Sequence, residues 1–211
     1  ASQVGVDILK KGGNAVDAAV ATAFALGVLE PNASGLGGGG FMIVKLVGMK
    51  DAVVIDFRET APAAARREMY ALGADGKVLN AANVVGGQAS GVPGEVAGLL
   101  DGLEKFGSKK LSRAQIIQPS IDWAKKGIPV TVNLAKIITD ELPKINKFPA
   151  TAAIYTQGGL PYELGDTIKN PELAATLELI AKKGKDGFYK GELAKKIVAA
   201  VKDTGGILTE A

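Results

Sequence analysis

Apolar residues at helical spacing predict two helices at the start of the chain. The first covers residues 2–10 and stops at a Gly-Gly pair. Asn14 then precedes an alanine-rich segment and is followed by Asp17 three positions later, which is typical of a capping box. This segment is apolar on all sides until Pro31 ends it, so we expect its helix to lie buried between layers of an α/β protein.

Two short runs rich in β-branched residues predict an antiparallel hairpin. They cover residues 41–47 and 52–57, with four residues between them. Because side chains alternate along a strand, Val54, Asp56 and Arg58 share one face of the second run. Arg58 is therefore expected where this strand ends.

Most of the remaining chain is predicted to be helical. Caps, prolines and glycines mark helices at residues 95–106, between Ser112 and Gly127, at 132–145, at 171–183 and at 191–202. Pro119 is expected to kink or divide the second of these helices. Since no repeat or linker is visible, the sequence marks no clean domain boundary. A boundary, if one exists, is expected within residues 147–159.

Histidine and cysteine are absent from the sequence. Their absence excludes disulfides, cysteine nucleophiles, histidine-based zinc sites and every catalytic triad that uses imidazole as its base. Hydrophobic residues make up 47% and charged residues 22%, a composition that predicts a packed core. The 25 basic and 22 acidic residues nearly balance, and lysine pairs fall at predicted helix ends, so no nucleic-acid partner is expected.

The longest apolar run is too short for a membrane span. Residues 15–29 are interrupted by Asp17 and Thr22 and fall below the roughly 20 residues that a bilayer requires. No basic segment precedes this run, so it is not expected to be a secretory leader. The sequence starts without Met and already in a helical pattern, so we expect a trimmed or processed piece.

Five of the six residues from 35 to 40 are glycine, directly before the first strand. One interpretation is a cradle of backbone N–H groups for an anion such as phosphate. A phosphate loop needs a helix after its glycines, whereas a strand follows here and no Gly-Lys-Ser/Thr is present. The other interpretation is a tight corner in which main chain packs against main chain.

The sequence Arg-Glu-Thr-Ala-Pro at residues 58–62 is a candidate for substrate binding. A guanidinium fork at a strand end matches a carboxylate with two parallel hydrogen bonds. The alternative is a solvated Arg58–Glu59 ion pair, which contributes under about 1 kcal/mol. Strand ends that flank a cleft favour binding sites, so both interpretations stay open at this point.

No residue of the chain has the sequence context of an activated nucleophile. Ser34 and Ser90 lie in glycine-containing segments, but without histidine or a Ser-x-x-Lys motif neither has an evident base. Asp17 is either a buried acid or, as the capping pattern favours, the partner of a helix cap. Taken by its residues alone, the chain lacks a complete catalytic constellation.

An ordered series of motifs resembles the large subunit of the γ-glutamyltranspeptidases. The series consists of QVGVDILKKGGNAVDAAVA at 3–21, GLGGGGF at 35–41, DFRETAP at 56–62, ASGVPG at 89–94, KGIPV at 126–130, GFYKG at 187–191 and GGILT at 205–209. Each motif alone is weak. Their order and spacing extend over the whole chain, which makes the resemblance specific.

The resemblance implies an α+β N-terminal nucleophile hydrolase with a four-layer αββα sandwich and a mostly helical C-terminal half in this chain. Residues 1–211 are then expected to form the large-subunit portion of one incomplete domain. Members of the family are made as proenzymes that cut themselves into a large and a small subunit. The nucleophile is the Thr at the start of the small subunit, and its own α-amino group acts as base. The γ-glutamyl group of glutathione passes to this Thr and then to water or an amino-acid acceptor, without a metal or organic cofactor.

The same resemblance assigns binding roles within this chain. Arg58 is implied to pair with the α-carboxylate of the γ-glutamyl donor. Glu59 is implied to orient Arg58. Backbone permissiveness predicts that the loop glycines pass close to the active-site wall, and these are Gly37, Gly38, Gly39 and Gly40.

Catalysis is expected to need a second chain. The sequence runs to Glu210 and Ala211 without the segment that holds the family's Thr nucleophile. Thr60, Thr131 and Thr209 are internal, so none has a free α-amine to serve as base. The small subunit is the expected partner, because an open sheet would otherwise expose unpaired strand edges. By resemblance, the periplasm or the extracellular space is the expected location, with the cytoplasm left open.

The γ-glutamyltransferase interpretation has two alternatives. Cephalosporin acylases and capsule-processing transpeptidases resemble the same family, so a glutaryl or poly-γ-glutamate donor also fits Arg58. The other alternative is a non-catalytic scaffold that kept the fold after losing the reactive half. A co-purified polypeptide that begins with Thr would distinguish the enzyme from the scaffold.

Overall fold

The structure, a computed structural model, describes residues 1–210, and Ala211 lies outside it. The described residues contain nine α-helices, six short strands and three 3₁₀ helices, Arg67–Met69, Leu79–Ala81 and Gly87–Ala89. The helices are α1 (Ser2–Lys10), α2 (Ala15–Leu29), α3 (Glu95–Phe106), α4 (Arg113–Lys126), α5 (Val132–Ile145), α6 (Pro149–Tyr155), α7 (Pro171–Lys183), α8 (Asp186–Tyr189) and α9 (Gly191–Asp203). The strands are β1 (Phe41–Val44), β2 (Val53–Asp56), β3 (Ile128–Pro129), β4 (Thr156–Gln157), β5 (Leu160–Pro161) and β6 (Thr167–Ile168). They pair antiparallel as β1 with β2, β3 with β6 and β4 with β5.

The chain divides into two compact units, each built from two segments. Residues 1–35 and 103–182 form the first unit, and residues 36–102 with the segment from Lys183 onward form the second. The first unit has a helical core in which α1 and α4 both pack against α2. Val20 and Phe24 of α2 and Ile116 of α4 are at most 1% exposed. The predicted burial of α2 is confirmed, although its neighbours in this unit are helices rather than sheets.

Both predicted capping boxes are present in the first unit. The Oδ1 atom of Asn14 accepts hydrogen bonds from the N–H groups of Val16 and Asp17, each at 3.0 Å. The Asp17 carboxylate accepts in return from the N–H of Asn14 at 2.9 Å. Ser112 and Gln115 form the second box, at the start of α4. These bonds satisfy N–H groups that a helix start leaves free, so both helices begin where the sequence predicts.

The second unit contains the predicted hairpin, with a shorter first strand than expected. Strands β1 and β2 pair with Phe41 opposite Asp56. Met42 lies against α3 at Gly102, where an added Cβ would be 2.9 Å from the Met42 Sδ. Strand β2 ends at Asp56, so Arg58 follows just beyond the strand end.

Two expectations about the organisation of the chain need correction. Pro119 lies inside α4, which continues through it and is not divided. Residues 147–159 contain no boundary between the units, since they lie within the first unit and include α6 and β4. Helices α6 and α8 and the strands after β2 were not predicted.

None of the helices in residues 1–210 is long and apolar enough to span a bilayer.

Candidate functional site

A pocket of about 570 Å³ opens beyond the end of β2. Arg58, Glu59 and Gly37, which the sequence predicts at the site, all line this pocket. The rest of its wall comes from residues 60–62, 65, 69–70 and 88–91. The structure thus brings the Arg-Glu pair together with one end of the glycine loop, within the second unit.

Arg58 reaches the pocket from a main chain that Asp56 fixes. The N–H of Arg58 donates a hydrogen bond to the Asp56 Oδ1 at 3.0 Å, which makes a local turn directly after the strand. The Arg58 side chain is exposed, and within residues 1–210 its guanidinium makes no ion pair or hydrogen bond. The alternative of an Arg58–Glu59 ion pair is therefore wrong for the described chain, in which Glu59 does not hold Arg58 through such a pair. The guanidinium donors are available to a ligand.

Residues 88–91 are held to the rest of the wall by two contacts. The N–H of Val92 donates to the carbonyl of Thr60 at 2.8 Å and forms an isolated antiparallel bridge. The Tyr70 hydroxyl donates to the carbonyl of Gln88 at 2.8 Å. Sequence reasoning missed Tyr70 and Gln88, because no motif or periodicity marks residues that meet only through a contact between two loops.

The glycine loop lies directly against the main chain that leads into Arg58. A Cβ added to Gly39 would be 2.3 Å from the carbonyl oxygen of Phe57 and 2.9 Å from the nitrogen of Glu59. Such distances leave no room for a side chain, so the loop makes the tight corner of main chain on main chain. Gly37 lines the pocket, whereas the loop glycines that lie outside its lining are Gly38, Gly39 and Gly40.

Negative charge is concentrated near the start of α3, in the same unit. Burial raises the pKa of Glu95 above its ordinary value, and the charge of Glu59 raises it further. Burial also raises the pKa of Tyr189, whose hydroxyl donates to the Pro93 carbonyl at 3.0 Å and accepts from the Ala97 N–H at 3.1 Å. The pocket therefore carries the guanidinium of Arg58 and the carboxylate of Glu59 on neighbouring residues. The carboxyl group of Glu95 repels that of Glu59.

The described residues supply groups for binding a substrate. Ser90 lines the pocket, but in residues 1–210 its hydroxyl has no hydrogen-bonded base. Ser34 belongs to the first unit, and Asp17 is fully buried as the partner of the α2 cap. Residues 1–210 contain no group of three or more His, Cys, Asp or Glu side chains that could hold a metal ion. The Arg58 guanidinium can bind an anionic group of a ligand, and the Glu59 carboxylate can bind a cationic one.

Comparison with known proteins identifies the family. The γ-glutamyltranspeptidase family model matches residues 1–211, so the chain belongs to the γ-glutamyltranspeptidase family. The glutathione hydrolase proenzyme of Bacillus subtilis (strain 168) is 46% identical over 211 residues, which cover 100% of this chain and 35% of that protein.

Solved structures agree with this assignment. The crystal structure of Helicobacter pylori γ-glutamyltranspeptidase matches with a TM-score of 0.93 and 37% identity, over 99% of this chain and 59% of that one. A cephalosporin acylase from Bacillus halodurans matches with a TM-score of 0.85 and 30% identity, over 99% of this chain and 39% of that one. The predicted fold class, an α+β N-terminal nucleophile hydrolase with a mostly helical C-terminal half, is confirmed. The chain spans about a third of the length of the curated relatives that it matches, at their N-terminal end.

Proposed function

We propose that this chain is the N-terminal part of the large subunit of a γ-glutamyltransferase/glutathione hydrolase and supplies donor-binding residues to that enzyme. One observation carries the proposal. Arg58 lines a pocket just beyond strand β2, and its guanidinium has no partner in residues 1–210 of this family member. The γ-glutamyl group of glutathione bears an α-carboxylate that suits such a guanidinium.

Arg58 holds this carboxylate in the proposed complex. Two parallel N–H···O bonds between a guanidinium and a carboxylate combine charge with a fixed orientation, which a lysine does not provide. Glu59 lies on the same wall of the pocket and is the second proposed binding residue. Its carboxylate orients the donor by attracting the α-ammonium group, and this contact also offsets the repulsion between Glu59 and Glu95.

The bond-breaking residue is proposed to lie on the small subunit. Its N-terminal Thr hydroxyl attacks the γ-carbonyl carbon of the donor, and the hydroxyl proton passes through the Thr α-amino group to the departing amine. Water or the amino group of an acceptor then attacks the resulting ester, which regenerates the hydroxyl. This chain contributes the hold on the donor and part of the fold, and no metal or organic cofactor takes part.

The small subunit of the same proenzyme is the proposed partner, and the periplasm or the extracellular space is the proposed location. The proenzyme name of the Bacillus subtilis relative supports a two-subunit enzyme. Strands β1 and β2 form a two-stranded sheet in the described chain, so both of its outer edges are available for pairing.

A related acylase is the second candidate function, because the fold also matches the cephalosporin acylase. Glutaryl and γ-glutamyl groups differ only in the α-amino group. An acylase of glutaryl donors would use Arg58 but gain nothing from the carboxylate of Glu59. Comparing γ-glutamyl-p-nitroanilide with glutaryl-p-nitroanilide therefore separates the two functions, and Glu59→Gln should weaken only the first substrate.

The test of the proposed function uses the complete protein that contains this chain. Intact-mass measurement should show a second polypeptide that begins with Thr, and the sample should turn over γ-glutamyl-p-nitroanilide. Arg58→Ala should raise KM for this compound by about 30-fold or more, since a charge-assisted bidentate contact contributes about 2–4 kcal/mol. The KM of Arg58→Lys for this compound should lie between that of Arg58→Ala and that of the unchanged protein.

Arg67→Ala is the matched control, because Arg67 is an exposed arginine of the same unit that does not line the pocket. Its kinetics should equal those of the unchanged protein. A sample with a single polypeptide and no turnover would support the scaffold alternative instead. Unchanged KM and kcat in Arg58→Ala would remove Arg58 from the donor site.

A further inference from the structure

The ring of Phe57 is seated between two glycines, immediately before Arg58. A Cβ added to Gly98 of α3 would lie 2.1 Å from the Cγ and 2.3 Å from the Cβ of Phe57. A Cβ added to Gly40 would lie 3.1 Å from the Cε2 of the same ring. Gly98 is buried in the helix, so the ring occupies a space that a side chain at Gly98 would fill, and a side chain at Gly40 would crowd the ring.

The peptide that joins Phe57 to Arg58 is held on the same surface. The N–H of Phe57 donates to the carbonyl of Gly40 at 3.0 Å, and the Gly40 N–H donates back at 3.4 Å. A Cβ added to Gly94 would be 1.9 Å from the carbonyl oxygen of Phe57. The next N–H, that of Arg58, donates to the Asp56 carboxylate. Ring and main chain are thus fixed together at the position from which the Arg58 side chain departs.

We propose that Phe57, through its seat on Gly98, is a positioning residue that sets the Arg58 guanidinium for donor binding. The inference rests on the proposed role of Arg58. No group in residues 1–210 forms a hydrogen bond or ion pair with the Arg58 guanidinium. Its location therefore depends on the position of the main chain at residue 58. A bidentate contact is sensitive to displacements of a fraction of an ångström, and Phe57 transmits the position of α3 to that contact.

Gly98→Ala tests the seat, and Gly102→Ala is its matched control. Both substitutions add one methyl group to a buried glycine of α3. At Gly98 the methyl meets the stem of Phe57, which cannot turn away, because its Cβ is one of the clashing atoms. At Gly102 the methyl meets the Sδ of Met42 at 2.9 Å, the flexible part of a methionine that adapts readily.

In the complete enzyme, Gly98→Ala should raise KM for γ-glutamyl-p-nitroanilide and the inhibition constant of L-glutamate by about tenfold, with kcat changed less than about threefold. Gly102→Ala should leave all three constants near those of the unchanged protein. Phe57→Leu, which keeps the Cβ and removes the ring, should weaken donor and L-glutamate binding in the same direction by a smaller factor. This milder variant keeps the test valid if Gly98→Ala fails to fold.

The decisive control is the Arg58→Ala background. If Phe57 acts through Arg58, then Gly98→Ala or Phe57→Leu should raise KM no further once Arg58 is gone. Equal fold-changes in both backgrounds would overturn the positioning role while leaving the proposed function intact. A fall in kcat at unchanged KM would also overturn it. Failure of the proposed function shows separately, as an Arg58→Ala variant with unchanged KM.

Discussion

The carboxylate of Asp17 accepts a hydrogen bond from the backbone N–H of Ser108, 91 residues further along the chain, at 3.1 Å. The same carboxylate accepts from the N–H of Asn14 and completes the α2 cap. Asp17 is fully buried, so it joins the start of α2 to the segment that follows α3 without access to water. The choice between a buried acid and a cap is thereby settled, since Asp17 is both buried and used in the cap.

Asp17→Asn should destabilise this junction by about 1–3 kcal/mol, because the amide NH2 would replace an acceptor that buried N–H groups require. The measurement is hydrogen exchange by mass spectrometry on the complete protein, where peptides around residues 14–20 and 106–112 should exchange faster. Asp7→Asn is the control, since Asp7 is exposed and its carboxylate accepts a hydrogen bond only from the Gln3 side chain in residues 1–210. Equal protection in both variants would contradict the role of Asp17.

Glu95 predicts a pH dependence of stability. Its raised pKa means that the folded protein keeps the Glu95 proton to a higher pH than the unfolded chain, whose carboxyl has the ordinary value of 4.5. Between the ordinary and the raised pKa the folded state binds more protons, so stability falls as the pH rises through that window. Glu95→Gln removes this loss and should stabilise the protein at pH 7.

Thermal unfolding across a pH series measures this effect. The advantage of Glu95→Gln should vanish below about pH 4, where both states of the unchanged protein hold the proton. Glu104→Gln, an exposed position of the same helix, should show no comparable trend. A stability advantage that grows toward low pH would have the wrong sign and would exclude this account of Glu95.

The glycine loop allows a matched pair of substitutions. Gly39→Ala would place a methyl group 2.3 Å from the Phe57 carbonyl oxygen, and main chain cannot yield as a flexible side chain does. We expect a loss of about 1–3 kcal/mol in the free energy of unfolding. Gly37→Ala meets no atom within 4 Å and should change that free energy by less than about 0.5 kcal/mol. Calorimetric unfolding of the complete protein measures both, and similar values for the two variants would contradict the tight corner.

Local signals in the sequence account for much of the fold. Asn14 with Asp17 and Ser112 with Gln115 mark two helix starts, because capping chemistry is contained within four neighbouring residues. Strands β3 to β6 have two residues each, too short for any alternation to be detected. The two units are discontinuous along the chain, so no linker composition marks where they divide.

The site could be predicted only in part, for a similar reason. The position of Arg58 after a strand is a local pattern, and Arg58 also lies in one of the motifs that resemble the family. The contact of Thr60 with Val92 and that of Tyr70 with Gln88 join segments far apart in sequence, and no spacing rule predicts them. The absence of an Arg58–Glu59 ion pair from the described chain depends on side-chain directions that the sequence does not specify.

The most direct measurement of the central claim removes the substrate's carboxylate rather than the protein's arginine. Comparing γ-glutamyl-p-nitroanilide with 4-aminobutyryl-p-nitroanilide, which lacks only the α-carboxylate, gives the preference of the complete enzyme as a ratio of kcat/KM. This ratio should be on the order of 100 in the unchanged protein. It should fall close to one in Arg58→Ala, because substituting the arginine and removing the substrate's carboxylate eliminate the same contact. A preference that Arg58→Ala retains in full would show that another group binds the carboxylate.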